Sequence, residues 1–311
     1  LAEYFRHKSG RLQYPSPVGD KDVLRGEIST RPLEAGFFIE CNGEKMRFLI
    51  FVFTFFLSLN SFAKGLRIIS LMPSYTEIIF ALGMGANLVG ISNYCDYPPA
   101  TEKIEKVGDY LRPNLEKIYS LKPDIVFVSE WKDSVFLKNL EKLGIKTVQI
   151  KNEKSVEDIF RTIEIISFQI KKGEEGLNLI EKMRRKIKSF DENKGKKSLY
   201  IEIDRGQWTV GKESFINDIV SRAQGENIFA DVTAGYFQVP WEMVVERNPD
   251  IVILFRESKS EFLKRPLAKK IKAAKNGKII TDIDIDCLSR PSPRVLDMID
   301  VLRKKFYDKK D

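Results

Sequence analysis

Beyond residue 64 the chain alternates short apolar runs with amphipathic stretches, the pattern of strands and helices taking turns. Residues 67–71, 88–91, 125–128 and 145–150 are apolar runs bounded by polar or turn-forming residues and read as strands. Residues 115–121 and 135–143 read as helices, the first stopped before Pro123 and the second closed by Gly144. Pro73-Ser74 opens another helix running to Gly83, with Ser74 and Glu77 spaced as a capping box. After a charged break at 191–197 the alternation restarts. Strands are expected at 198–203, 251–255 and 278–281, and helices at 215–223, around Val244-Val245, at 260–274 and at 295–306. Each half therefore predicts an open α/β sheet.

Between the halves, residues 155–190 contain no proline and keep helical spacing. Ile159, Ile163, Ile166 and Ile170 are followed, past Gly173 and Gly176, by Leu177, Ile180, Met183 and Ile187. Ser155 supplies an N-cap, with Asp158 in the first turn. One helix of this length exceeds about 45 Å at roughly 1.5 Å per residue, longer than a domain is wide. The expectation is a long α-helix bridging two lobes, kinked at the glycine pair. The boundaries that follow are an N-terminal α/β lobe at 64–153, the bridging helix at 154–193 and a C-terminal α/β lobe at 194–311.

An internal repeat points the same way. Glu116 stands seven residues before Pro123-Asp124-Ile125-Val126, and Glu242 seven residues before Pro249-Asp250-Ile251-Val252. Each phrase is followed by a helix, a glycine (Gly144 or Gly277) and a strand. Two halves on one plan imply two similar α/β lobes with a ligand cleft between them.

The segment before residue 64 has another character. Met46-Arg47 leads into the Phe-rich apolar run 48–59, which gives way to Asn60-Ser61-Phe62-Ala63. That is the layout of a signal peptide at 46–63, cleaved near Ala63 and directing the chain to secretion. About a dozen apolar residues fall short of the roughly 20 that span a bilayer. No cysteine follows Ala63, so a lipoprotein anchor is not expected. Residues 1–45 lack apolar periodicity and read as an upstream extension outside the fold, either preceding the true start at Met46 or disordered.

Charge and rare residues narrow the function. Eight of the 52 basic and seven of the 44 acidic residues precede Lys64, which leaves +7 of the net +8 on the remainder. Basic residues alternate with glutamates, as in Glu181-Lys182-Met183-Arg184-Arg185-Lys186, and are not laced with stacking aromatics. No nucleic-acid partner is expected. Cys95 and Cys287 read as free buried thiols, a disulfide being the alternative. The single histidine, His7, lies outside the fold, which removes a Ser-His-Asp triad, a His-ligated metal site and a histidine haem ligand. Gly-x-Ser-x-Gly, Walker and strand-following Gly-x-Gly-x-x-Gly motifs are missing, and Gly83-Met84-Gly85 ends a helix instead of opening one. The chain reads as no enzyme, with no catalytic residues and no cofactor.

The stretch from Arg67-Ile68-Ile69-Ser70-Leu71 through Met72-Pro73-Ser74-Tyr75-Thr76-Glu77, then Asn93-Tyr94-Cys95-Asp96-Tyr97-Pro98-Pro99, resembles the helical-backbone periplasmic binding proteins. These serve ABC importers of cobalamin, ferric siderophores and haem. The likeness continues through Val107-Gly108, Asn114-Leu115-Glu116 and Leu121-Lys122-Pro123-Asp124 to Ser289-Arg290-Pro291-Ser292-Pro293-Arg294, covering nearly all of residues 66–306. The Asp-Tyr-Pro-Pro and Arg-x-Ser-Pro-Arg phrases look like those of the cobalamin-binding members.

The resemblance implies a monomer that captures cobalamin or a related corrinoid and delivers it to an ABC importer permease at the inner membrane. Glu116 and Glu242 match the two glutamates, one per lobe, that dock on permease arginines. Tyr94 matches an aromatic that holds the corrin ring, and Tyr110 stands where a familiar member has tryptophan. Tyr236 and Phe237 lie where a further aromatic is expected, with Trp131 and Trp208 as additional candidates. Asp286 and Arg290 match positions that contact corrin amides, or alternatively pair with each other. The alternative cargo is a ferric siderophore or haem, for which Arg112, Arg205 and Arg290 would supply positive charge. The family's rigid bridging helix implies small lobe motions.

Overall fold

The computed structural model describes residues 65–130, 134–190 and 195–307; the expected upstream extension at 1–45, the expected signal peptide at 46–63 and Trp131 lie outside the described residues. The first lobe is built on four parallel strands, β1 (Ile68–Ser70), β2 (Leu88–Ile91), β3 (Ile125–Ser129) and β4 (Lys146–Ile150), in the order β2-β1-β3-β4. They are connected by α1 (Pro73–Ala81), α2 (Leu115–Ser120) and α3 (Ser134–Lys142). Strands β1 and β3 are buried on both faces, which is why Ile-Ile and Ile-Val-Phe-Val run without polar alternation.

The stretch expected to be one long helix is two, α4 (Val156–Gln169) and α5 (Gly173–Lys188). The break is a Schellman turn. Lys171 takes φ +59°, its N–H donates to the Phe168 carbonyl, and the Lys172 N–H donates to that of Ser167. Helix α5 folds back antiparallel on α4, placing Gly176 against Ser167 and Arg184 over the Phe160 ring. A Cβ at Gly176 would collide with the Ser167 side chain. The glycine read as a kink is therefore what lets the two helices touch.

The second lobe carries β5 (Lys197–Asp204), β6 (Trp208–Val210), β7 (Gly225–Asn227), β8 (Tyr236–Gln238), β9 (Ile251–Leu254) and β10 (Ile279–Ile280). Its parallel part runs β7-β5-β9-β10, the order of the first sheet, and β6 with β8 adds an antiparallel ribbon on β5. The helices are α6 (Phe215–Arg222), α7 (Trp241–Arg247), α8 (Lys259–Phe262), α9 (Lys272–Lys275), α10 (Ile285–Ser289) and α11 (Val295–Tyr307). The single helix expected at 260–274 is thus corrected to α8 and α9. Pro266 interrupts it, and Leu267 turns left-handed at φ +59°.

The repeated phrase has the same work in both lobes. Asp124 Oδ2 accepts from the Arg67 N–H at 2.8 Å, and Asp250 Oδ2 accepts from the Ser198 N–H at 3.1 Å. In return, the Asp124 and Asp250 N–H groups donate to the carbonyls of Arg67 and Ser198. The next residues are ladder partners, Ile125 beside Ile68 and Ile251 beside Leu199. Each aspartate therefore fixes the register of its lobe's two central strands. One apolar cluster runs through both lobes and the helical hairpin, including Ile79, Ile163, Ile180, Ile219 and Leu302.

Candidate functional site

In open parallel sheets, ligands bind outside the carboxyl ends of the strands. Here the loops after β2 and β4, at the carboxyl edge of the first sheet, meet residues of the second lobe. Arg290 reaches across to Asp96, with Nη1–Oδ1 at 2.5 Å and Nη2–Oδ2 at 3.2 Å. Lys154 after β4 pairs with Glu213 at 3.0 Å.

The contact beneath them is a buried knot. Glu77, 4 % exposed, accepts from Ser292 Oγ at 2.5 Å and from Arg294 Nε and Nη2 at 3.0 and 2.9 Å. Arg290 Nη1 stands 3.6 Å from the same carboxylate, and Arg294 stacks on the Tyr97 ring at 3.7 Å. The expected capping box is therefore not made. Helix α1 has Met72 as its N-cap without a side-chain bond, and Ser74 Oγ is buried without a partner. Glu77 lies on the helix's buried face, where two guanidinium groups attract it more strongly than a neutral N–H. Burial opposes ionisation of Asp96, yet the Arg290 hydrogen bond and charge bring its carboxyl below the usual value. Burial likewise works against the Arg290 cation, but Asp96, Asp286 and Glu77 raise its pKa. Cys95 and Cys287 are free and buried, and burial pushes the Cys287 thiol up to about 12.

The candidate ligand residues divide by position. The Asn93 N–H bonds to the Gly108 carbonyl at 2.8 Å, which brings the Tyr94 and Tyr110 loops together. Their rings meet edge to face with centroids 6.1 Å apart. Burial pushes the Tyr110 hydroxyl up to about 12, with Tyr94 and Asp109 adding to it. The Asp109 carboxylate shapes this loop by accepting from the N–H groups of Leu111 and Arg112. Trp208 begins β6 beside Asp204, at the carboxyl end of β5. Tyr236 and Phe237 are successive residues of β8 and so point to opposite faces. Tyr236 lies opposite Val210 in the shared core, and Phe237 packs on Phe229 at 5.8 Å in the second lobe's own core. The structure does not bring those two to one surface. Asp286 and Arg290 do pair, at 3.2 Å, and Asp286 keeps 45 % of its side chain exposed.

Two further carboxylates stand at the first lobe's carboxyl edge. Glu130 follows β3 and accepts from the Asn152 N–H at 3.0 Å. Glu153 follows β4 and accepts from Thr162 Oγ1 at 2.6 Å. Burial raises the Glu153 carboxyl to about 7, with the Thr162 bond working the other way. Glu116 and Glu242 are each exposed and each the second residue of its helix, α2 or α7. No group of ligating residues able to hold a metal ion occurs among the described residues.

Two lobes of one sheet order, meeting at the loops on the carboxyl edge of the first sheet, are the architecture of a solute receptor. Residues 68–284 match the family described as periplasmic binding protein. The chain belongs to that family. An ABC transporter substrate-binding lipoprotein of Bacillus subtilis, YvrC, itself uncharacterized, is 32 % identical over 78 % of this chain and 80 % of its own length. A vitamin B12-binding protein of Vibrio vulnificus is 33 % identical over 77 % of this chain and 89 % of its own. A solved structure from Staphylococcus epidermidis, described as a possible iron-binding (periplasmic solute-binding) protein, superposes with a TM-score of 0.70 at 31 % identity. That alignment covers 78 % of this chain and 98 % of that one. The protein is a substrate-binding component of an ABC transporter, and not an enzyme.

Sequence reasoning missed the role of Glu77 in this binding protein, although a signal was there. The residue sits among Tyr75, Ile78 and Ile79, and a carboxylate on an apolar helix face requires a buried partner. Its partners, Ser292 and Arg294, come from more than two hundred residues away, in the Arg-x-Ser-Pro-Arg phrase of which only Arg290 is read from sequence as ligand-contacting.

Proposed function

We propose that this binding protein captures cobalamin or a related corrinoid between its lobes in the periplasm and hands it to the permease of an ABC importer. The observation that carries the reading is the Tyr94–Tyr110 pair at the carboxyl edge, in a chain 33 % identical to a vitamin B12-binding protein. A flat, amide-edged macrocycle suits aromatic walls with a few polar groups at the rim. Tyr94, Tyr110 and Trp208 supply the walls and Asp286 an acceptor for amide N–H groups. Arg290 and Arg294 hold the lobes, and Tyr236 and Phe237 support the ribbon that carries Trp208. Glu116 and Glu242 form the docking points, and the chain acts as a monomer released by cleavage near Ala63.

A second reading is an iron chelate or haem, supported by the likeness to the Staphylococcus epidermidis protein described as a possible iron-binding protein. Arg112 and Arg205, both exposed, would face an anionic chelate. Titration of tryptophan fluorescence with cyanocobalamin, cobinamide, a ferric hydroxamate and haemin separates the two. The corrinoid reading expects quenching by the first two, weakened at least tenfold by Tyr110→Ala. Saturation by a ferric chelate or haemin alone overturns it.

A further inference from the structure

Residues 259–278 carry seven lysines and Arg265 against the single acid Glu261, a net +7 in a chain of net +8. Four of these eight basic residues line a concavity of about 640 Å³ on the second lobe. Lys264, Arg265, Lys269 and Lys270 line it with Leu263 and Leu267, and no carboxylate or aromatic does. The loop beneath is fixed. Arg265 turns inward onto Glu202, at 2.7 and 2.5 Å, and onto Glu257, over the Trp241 and Phe262 rings. Trp241 Nε1–H donates to the Pro266 carbonyl at 2.7 Å, and Ala268 is fully buried. Lys264, Lys269 and Lys270 stay exposed, as does Leu267 at 52 %. The Trp241 bond also ties this loop to α7, whose next residue is the exposed Glu242.

We propose that this concavity receives the phosphate headgroups of an anionic phospholipid surface and seats the second lobe on the membrane beside the importer. The choice of a membrane as partner rests on the docking role assigned to Glu242. Lysine ammoniums are hydrated point charges, suited to a diffuse anionic surface more than to a planar carboxylate fork. An exposed leucine within the basic rim adds apolar contact at the headgroup boundary. The lack of a lining aromatic disfavours a nucleic-acid strand, which would stack on one.

The test is co-sedimentation of the full chain with vesicles of phosphatidylcholine, with and without phosphatidylglycerol. The readout is the increment in binding that phosphatidylglycerol adds. It should fall as salt rises above about 0.15 M. Each of Lys264→Gln, Lys269→Gln and Lys270→Gln should lower it about fivefold, and the triple variant about a hundredfold. Melting temperature and cargo affinity should stay unchanged. No increment, or an undiminished increment in the triple variant, overturns the proposal. So does protection from melting by inorganic phosphate alone, which marks a free-anion site, or dependence on the lysines only with detergent-purified permease, which marks a protein partner. Glu242→Gln separates the two readings. Intact delivery by that variant, with lysine-dependent vesicle binding preserved, sinks the docking role and leaves the lipid contact standing.

Discussion

Replacing Glu77 by glutamine tests whether the buried knot joins the lobes. The carboxylate accepts three hydrogen bonds, one from Ser292 and two from Arg294, with Arg290 at 3.6 Å. Glutamine keeps the shape but removes the charge and turns an N–H₂ toward existing donors. Arg294, with 18 % of its side chain exposed, then loses its buried counter-ion. Breaking one side of a buried pair costs about 3–5 kcal/mol. At about 2–4 °C per kcal/mol for a unit of this size, the melting temperature should fall by about 10 °C. Glu77→Leu combined with Arg294→Met should recover part of that loss, because no unpaired charge remains, while Arg290 keeps Asp96 and Asp286. Scanning calorimetry of Glu77→Gln, of the double variant and of its two single variants decides it. A Glu77→Gln protein melting within about 2 °C of the wild type, or a double variant whose cost is the sum of the singles, refutes the reasoning.

Glu153 predicts a pH dependence. Burial raises its folded carboxyl to about 7, above the ordinary glutamate range, so the folded state holds the proton more tightly and stability is lost as pH rises from that range through about 7. Glu153→Gln should raise the melting temperature at pH 8 and change little at pH 5; equal shifts at both would contradict the assignment. The core and the knot both span the lobes, so solution scattering with and without cargo should show no wide closure. A large fall in the radius of gyration on binding would overturn that.

Much of the fold was legible because the core strands are uninterrupted apolar runs, and Leu88–Ile91 was read to the residue. What failed was short or non-local. Strands β6, β7 and β8 have three residues each and show no period. The turn between α4 and α5 uses Lys171 in a left-handed conformation, where helical spacing simply continues on either side. The site was less legible still. Tyr94 and Tyr110 meet edge to face, but Arg290 has its charge committed across the lobe boundary. No local pattern distinguishes an arginine that meets cargo from one that meets Glu77.

The spacing between glutamate and proline in the repeat is itself a product of the fold. In both lobes a short helix begins one residue before the glutamate, and a left-handed residue, Lys122 at φ +46° or Asn248 at φ +45°, precedes the proline. The aspartate clamp on the central strand follows. Spacing alone therefore says nothing about docking. An acid in a helix's first turn also has an ordinary reason to be there, worth about 0.3–1 kcal/mol through the helix dipole. What distinguishes Glu116 and Glu242 is that both are exposed and neither carboxylate has a hydrogen bond or ion pair among the described residues. If they serve only their helices, Glu116→Gln and Glu242→Gln should lower the melting temperature slightly and leave cargo delivery intact. If they dock, both variants should fold and bind cargo as the wild type does, yet fail to stimulate the ATPase of the reconstituted importer. Stimulation within about twofold of the wild type by the double variant would leave only the dipole role.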